Sequence, residues 1–162
     1  MDPIARQEVE DAMSRFRRLH PREKAVLKRL MQVDQPAVHE FLRMREAEDL
    51  SPVEGRMIWN LALIVWFVMS QVRGPLKPVS RRTLERLERA NHELLKGLRD
   101  LPEGMSGAWV DEWYSLGPQP EVLALVLTLL FGIEMVEEAL PPAVAGEVAA
   151  YAKTLIDAYN EA

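Results

Sequence analysis

Apolar side chains recur every three or four positions along most of the chain, and this spacing predicts a series of helices. The first helix is predicted from about Pro3 to Leu19. Pro21 starts the second, because proline can begin a helix but cannot continue one. A short third helix follows the break at residues 34–36. On the second helix, one apolar stripe is expected to face the core: Val26, Leu27, Leu30, Met31 and Val33.

Residues 51–54 (Ser-Pro-Val-Glu) carry the signature of a helix start. They supply a capping serine, a proline in the first turn and a glutamate three residues after the serine. This fourth helix is predicted to run to about Val72. Gly74 and two prolines mark a connector, after which Ser80 caps a fifth helix. The stripe of the fifth helix consists of Leu84, Leu87, Asn91, Leu94, Leu95 and Leu98.

The last third of the chain contains two more helical patterns. A sixth helix is predicted from about Gln119 to Ala139, and prolines 141 and 142 separate it from a seventh. No segment alternates apolar and polar positions as a half-buried strand does, and no Asn-Gly or Asp-Gly hairpin turn occurs. The sequence therefore predicts an all-α fold, a single globular bundle of six to seven helices around two strongly apolar central helices.

Those two central helices contain the apolar runs Met57–Met69 and Val122–Ile133. Each run is shorter than the ~18 apolar residues that a membrane-spanning helix needs, so both are interpreted as core and no membrane partner is expected. Asn60 lies within the first run, and Asn91 lies on the stripe of the fifth helix. Each is predicted to be a buried amide that bonds to a neighbouring helix, with a ligand contact as the alternative.

The length of 162 residues fits one domain, predicted over residues 1–162. Residues 1–49 are a candidate semi-independent basic helical subdomain within it. The absence of cysteine excludes a disulfide framework, thiolate metal sites and cysteine catalysis. Because residues 1–3 (Met-Asp-Pro) lack the basic and apolar regions of a secretion signal, a cytoplasmic location is expected.

Charge is divided unevenly along the chain. Residues 1–99 contain 19 lysines and arginines against 14 acidic residues, whereas residues 100–162 contain one lysine against 11 acidic residues, for a net charge of −5. This division indicates either separate partner surfaces or neutralisation of one part by the other, within one fold or a homo-oligomer. The cluster proposed to bind a polyanion consists of Arg15, Arg17, Arg18, Arg22, Lys24, Lys28 and Arg29.

Residues 19–27 (Leu-His-Pro-Arg-Glu-Lys-Ala-Val-Leu) resemble the opening of the first helix in helix-turn-helix regulators. The resemblance implies nucleic-acid binding, with phosphate contacts from the basic cluster. It covers nine residues. The chain then departs from the pattern, because no glycine marks the turn and the next helix offers Arg43 as its one strong reader of bases.

Residues 100–120 form a predicted long aromatic loop, in which prolines and glycines interrupt the helical period. Long loops are often functional, so its aromatic side chains are candidates for partner binding. The alternative is a loop whose aromatic side chains are simply packed on the core. The candidates are Trp109, Trp113 and Tyr114.

Motifs of enzymes are absent: the chain contains no glycine-rich phosphate loop, no GxSxG and no HExxH. Glu134 and Glu137 form one Glu-x-x-Glu, as in the helical nucleotide pyrophosphohydrolases, but no Glu-x-x-Asp follows it. No cofactor is predicted. The weak candidates for a metal site are Glu88, His92, Glu134 and Glu138.

These observations favour a non-enzymatic protein-interaction or regulatory module whose partner is another protein or a second copy of the chain. Two alternatives stay open. One is a nucleic-acid-binding regulator that uses the basic N-terminal helices. The other is a metal-dependent hydrolase with a carboxylate site in the bundle.

Overall fold

The computed structural model describes residues 2–99, 117–131 and 142–162. Within these ranges it contains seven helices and no strand, which confirms the predicted all-α bundle. The helices are α1 (Arg6–Arg18), α2 (Pro21–Asp34), α3 (Pro36–Glu48), α4 (Pro52–Arg73), α5 (Arg81–Arg99), α6 (Pro120–Phe131) and α7 (Pro142–Glu161).

The helix starts largely follow local sequence signals. At α4 the Ser51 hydroxyl accepts a hydrogen bond from the Glu54 amide at 3.3 Å, and the Glu54 carboxylate accepts one from the Ser51 amide at 2.7 Å. Pro21 begins α2 as predicted. The prediction for α1 is wrong by three residues: this helix begins at Arg6, because the extended segment before it is held by tertiary contacts.

Helix α4, which was predicted to be central, and helix α7 form the centre of the bundle. Helix α6, which contains the second predicted central run, is less buried, with residue 128 exposed. Every residue of α4 from 61 to 69 is buried, and so is every residue of α7 from 148 to 159. Helix α7 packs against α4, α5 and α6, while α1 packs against α4 and α6. By length and composition α4 is the one described helix that could cross a membrane, but 67% of its apolar window is buried inside the protein. Burial of this extent is typical of a core helix.

Helix α2 lies at the edge of the bundle, against α3 and α4. Of its five predicted core residues only Met31 is buried, and Leu27 is half-buried. Val26, Leu30 and Val33 are 55%, 47% and 77% exposed. The prediction of one core-facing stripe is therefore wrong for these three, because no described helix covers the outer side of α2.

A buried glutamine fixes the connection between α2 and α3. Gln35 is fully buried, and its amide nitrogen donates to the carbonyl oxygen of Lys77 at 3.1 Å. Its side-chain oxygen accepts from the Val79 amide at 3.0 Å. One side chain thus holds the α2–α3 junction against the connector that precedes α5.

A second buried glutamine joins both ends of the described chain. The side-chain oxygen of Gln119 accepts from the Ile4 amide at 2.8 Å. Its amide nitrogen donates to the carbonyl oxygen of Asp2 at 3.0 Å and to Asn160 Oδ1 at 2.8 Å. The extended residues before α1, the start of α6 and the end of α7 therefore meet on one side chain.

The prediction that Asn91 is a buried amide is confirmed. It donates from α5 to two residues of α7, to Thr154 Oγ1 at 3.2 Å and to Asp157 Oδ2 at 3.1 Å. The same Asp157 oxygen lies 2.6 Å from Lys153 Nζ. A polar network with a buried ion pair thus crosses the interface between α5 and α7.

Candidate interaction surface

The exposed face of α2 presents an apolar stripe in a basic surrounding. Val26, Leu30 and Val33 follow the i, i+4, i+7 spacing that aligns side chains on one face of a helix. Arg22 and Arg29 fall on one flank of this stripe and are exposed. Within the described ranges neither arginine has an ion-pair or hydrogen-bond partner for its side chain. We call these five residues the α2 surface.

The rest of the predicted polyanion cluster is spread over different faces of α1 and α2, since Arg17 lines a pocket with α6 and Lys28 lies towards α3 and α4. Arg15, Arg17 and Arg18 are exposed in the last turns of α1. Lys24 Nζ lies 4.9 Å from the centre of the Phe16 ring, and Lys28 Nζ lies 5.2 Å from that of Trp59. The cluster is therefore largely solvent-exposed.

The geometry of α2 and α3 departs from a helix-turn-helix. The two helices are separated by Gln35 alone, whereas the motif uses a turn of three to four residues. Exposed positions of α3 also include Glu40 and Glu46 beside Arg43. Carboxylates at these positions would oppose approach of α3 to a phosphate backbone.

A groove of about 430 Å³ opens between α2, α3 and α4. Asn60 lies in it and is exposed, so the prediction of a buried amide at this position is wrong. The reason is that the first half of α4 has one side open to this groove. We call this feature the basic groove, lined by Lys28, Gln32, His39, Arg43, Glu46, Arg56, Trp59 and Asn60.

Among the described residues that line the basic groove, one carries a carboxylate, and it is bonded to α4. Glu46 Oε2 accepts a hydrogen bond from the indole nitrogen of Trp59 at 2.9 Å. Gly55 makes this possible, because a Cβ atom there would lie 3.0 Å from both Cγ and Oε1 of Glu46. The His39 ring lies against the same indole, with ring centres 5.3 Å apart.

A second pocket, of about 550 Å³, lies where α3, α5 and α7 meet the start of α4. Arg45 and Glu88 pair across it, with Nε–Oε1 at 2.6 Å and Nη2–Oε2 at 2.8 Å. Burial alone would lower the pKa of Arg45, but the hydrogen bond and the charge of Glu88 outweigh it and raise that pKa. The Glu88 carboxylate thus pairs with the guanidinium of Arg45 across the pocket.

His92 and Tyr151 complete this pocket. His92 Nδ1 lies 2.9 Å from the carbonyl oxygen of Glu88, and Nε2 lies 3.1 Å from a carboxylate oxygen of Glu147. The Tyr151 ring packs on His92 with ring centres 5.0 Å apart. Burial, with the nearby carboxylates of Asp49 and Glu88, raises the pKa of Tyr151 to about 12.

These contacts bear on the weak metal candidates. Glu88 and His92 do lie at one pocket. However, the carboxylate of Glu88 is paired with Arg45, and the imidazole of His92 lies against the carboxylate of Glu147. Glu134 and Glu138 lie outside the described residues. Among residues that are described, no three histidine, aspartate or glutamate side chains are grouped to hold a metal ion. The aromatic candidates Trp109, Trp113 and Tyr114 also lie outside the described residues.

Nothing in the sequence indicates which residues come together at these two sites. Arg43 and Arg56 are separate in the sequence and meet only through the packing of α3 on α4. Arg45 and Glu88 are 43 positions apart. One signal was available: Gly55 sits in the first turns of a predicted helix, where glycine is unfavourable unless close packing requires it.

The chain matches no family model, no curated protein and no solved structure. The functional argument therefore rests on the geometry and the charge of the described surfaces.

Proposed function

We propose that the protein is a non-enzymatic interaction module that binds an acidic, amphipathic segment of a partner protein through the α2 surface. One observation carries this proposal: Val26, Leu30 and Val33 are exposed in line on one helix, beside two arginines whose side chains have no partner among the described residues. Aligned apolar side chains are the usual anchors for a helix or an extended segment laid along a surface.

The positive charge beside the apolar stripe favours an acidic partner. Arg22 and Arg29 flank the stripe, whereas Lys28 faces the groove towards α3 and α4. A segment with carboxylates beside its apolar anchors would place them near these cations, which favours association and excludes basic competitors. Hydrophobic anchors would supply the affinity and the arginines the orientation.

A second copy of the chain fits this surface less well. Three side chains offer far less than the ~800 Å² per partner that a specific interface of standard size buries. In an antiparallel pairing of two α2 helices, the arginine flank of one copy would also face that of the other, and like charges would repel.

Selection from a displayed library of random 16-residue peptides tests the proposal. We expect the selected peptides to carry net negative charge and apolar residues at helical spacing. Leu30→Ser should weaken their binding about tenfold, and Arg29→Glu by a similar factor. Val53→Ser is the matched control, because Val53 is an exposed apolar residue of α4, outside the α2 surface.

Two outcomes of the peptide selection would contradict the proposal. One is a selected pool without acidic bias. The other is equal binding to the wild type and to Leu30→Ser. A dimer in sedimentation that dissociates in Leu30→Ser would assign the α2 surface to a second copy, and would likewise overturn the acidic partner.

Binding of nucleic acid is a second candidate function, favoured by the exposure of Arg15, Arg22 and Arg29 without described ion-pair partners. Fluorescence anisotropy with a labelled random duplex tests it. Affinity that falls steeply with salt, and that is lost when these three arginines become glutamates, would support it. The absence of binding at low salt would remove it.

A further inference from the structure

The basic groove concentrates positive charge that the described part of the chain does not neutralise. Lys28, Arg43 and Arg56 line it from three different helices. Arg43 and Arg56 are exposed, and neither has a hydrogen-bond or ion-pair partner for its side chain among described residues. Because like charges around one concavity repel each other, entry of an anion would relieve this repulsion.

The carboxylate that lines the groove beside these cations is hydrogen-bonded to another group. Glu46 is bound to the Trp59 indole, and the absence of a side chain at Gly55 lets it lie against α4. It forms no ion pair with the groove's cations within the described ranges. The groove therefore keeps an excess of positive charge.

The lining groups suit a phosphate, because its three terminal oxygens and double negative charge can engage two arginines and a lysine together. A guanidinium presents paired N–H donors that match two oxygens of one phosphate, and two arginines can bind different oxygens of the same group. The amides of Gln32 and Asn60 offer further neutral donors. Trp59 and His39 form an aromatic wall beside them, and about 430 Å³ leaves room for an organic group.

We propose that the basic groove is a binding site for a phosphate monoester dianion, with Arg43 and Arg56 on the phosphate oxygens and Lys28 adding charge. The same dianion is carried by a free nucleotide and by a phosphorylated side chain of a protein. The site is separate from the α2 surface, since neither the apolar stripe nor its two arginines line the groove.

Titration of the ¹⁵N-labelled protein tests this site at pH 7.5, where a phosphate monoester is mostly dianionic. The ligands are inorganic phosphate, adenosine monophosphate, and a phosphoserine peptide with its unphosphorylated counterpart. The Trp59 indole N–H signal, assigned by its loss in Trp59→Phe, reports on the groove. We expect a saturable shift with a phosphate ester and none with the unphosphorylated peptide.

Variants then assign the shift to the groove. Arg43→Met and Arg56→Met should each weaken binding about tenfold, with a smaller loss for Arg43→Lys, while Glu46→Gln should strengthen it about twofold to threefold. Lys96→Met and Arg82→Met remove exposed cations of α5 as matched controls and should leave affinity unchanged. Thermal melts of each variant check that the fold is retained.

Tighter binding of adenosine monophosphate would identify a small-molecule ligand, and tighter binding of the phosphopeptide a phosphorylated protein; either supports the site. No shift with any phosphate, or equal shifts in Arg43→Met, Arg56→Met and the wild type, would overturn it. Leu30→Ser should bind phosphate as the wild type does, so failure of the α2 surface is distinguishable from failure of this site.

Discussion

Lys153 and Asp157, one turn apart on α7, form an ion pair with a 2.6 Å distance between Nζ and Oδ2, and their side chains are only 5% and 10% exposed. The pair lies inside the bundle, where Asn91 donates to the same Asp157 oxygen at 3.1 Å, while Asp157 Oδ1 is buried without a hydrogen-bond partner among the described residues. The one lysine of the acidic part of the chain is thus used inside the fold.

We expect Lys153→Met to destabilise the protein by about 3–5 kcal/mol, because it leaves the buried charge of Asp157 without its cation. The double variant Lys153→Met/Asp157→Asn should recover much of this loss, since no charge then stays buried. Urea unfolding measures both. Arg81→Ala is the control, because its pair with Glu85 is exposed to solvent and contributes little to stability. A loss at Lys153 no larger than at Arg81 would contradict the prediction.

The hydroxyl of Tyr159 is fully buried and has no hydrogen-bond partner among the described residues. A buried polar group without a partner costs about 1–3 kcal/mol, so Tyr159→Phe should leave the free energy of unfolding unchanged or raise it by about 1 kcal/mol. The same change at most buried tyrosines destabilises. A clear loss of stability in urea unfolding would show that this hydroxyl has a partner after all.

The raised pKa of Tyr151 predicts how the stability of the protein changes at alkaline pH. Its pKa is raised to about 12 in the folded protein, above the ordinary value of 10.0, so the folded state holds this proton more tightly than the unfolded state. The resulting stabilisation is fully present below pH ~10 and is lost as the pH rises towards 12. Urea unfolding at pH 8 and pH 11 should show a smaller decrease for Tyr151→Phe than for the wild type. An equal decrease would assign the effect to other groups.

Gly55→Ala tests the contact between α3 and α4. Alanine favours a helix over glycine by about 1 kcal/mol, but its Cβ would displace Glu46 from the Trp59 indole. We expect little net change in stability together with a shifted Trp59 indole N–H signal. Gly97→Ala is a suitable control, since a Cβ at this glycine of α5 meets no atom within 4 Å and should simply stabilise. An unchanged Trp59 signal in Gly55→Ala would contradict the displacement.

The sequence predicted those features that depend on neighbouring residues. The capping box at Ser51 is local, and its two hydrogen bonds form as expected. Asn91 could be recognised because an amide on an apolar stripe needs a partner across a helix interface. In both cases the spacing along one helix contains all the information required.

Features that depend on which helix covers which face could not be predicted. Lys153 and Asp157 have the spacing of an ordinary surface pair, and only the packing of three helices around α7 buries them. Val26 and Asn60 were predicted to be buried and are exposed. Each belongs to an apolar pattern, but it lies on a side of its helix that no described element covers. The basic groove likewise needs three helices to assemble.

Gln119 has a consequence for the dynamics of the chain ends. The first residues of a domain usually fray, and their amides exchange with solvent within seconds to minutes. The Ile4 amide is instead buried and bonded to Gln119, which also holds the end of α7. Its exchange with deuterium should therefore be as slow as that of the α7 core amides, so that the first residues and the last helix open only when the whole bundle unfolds.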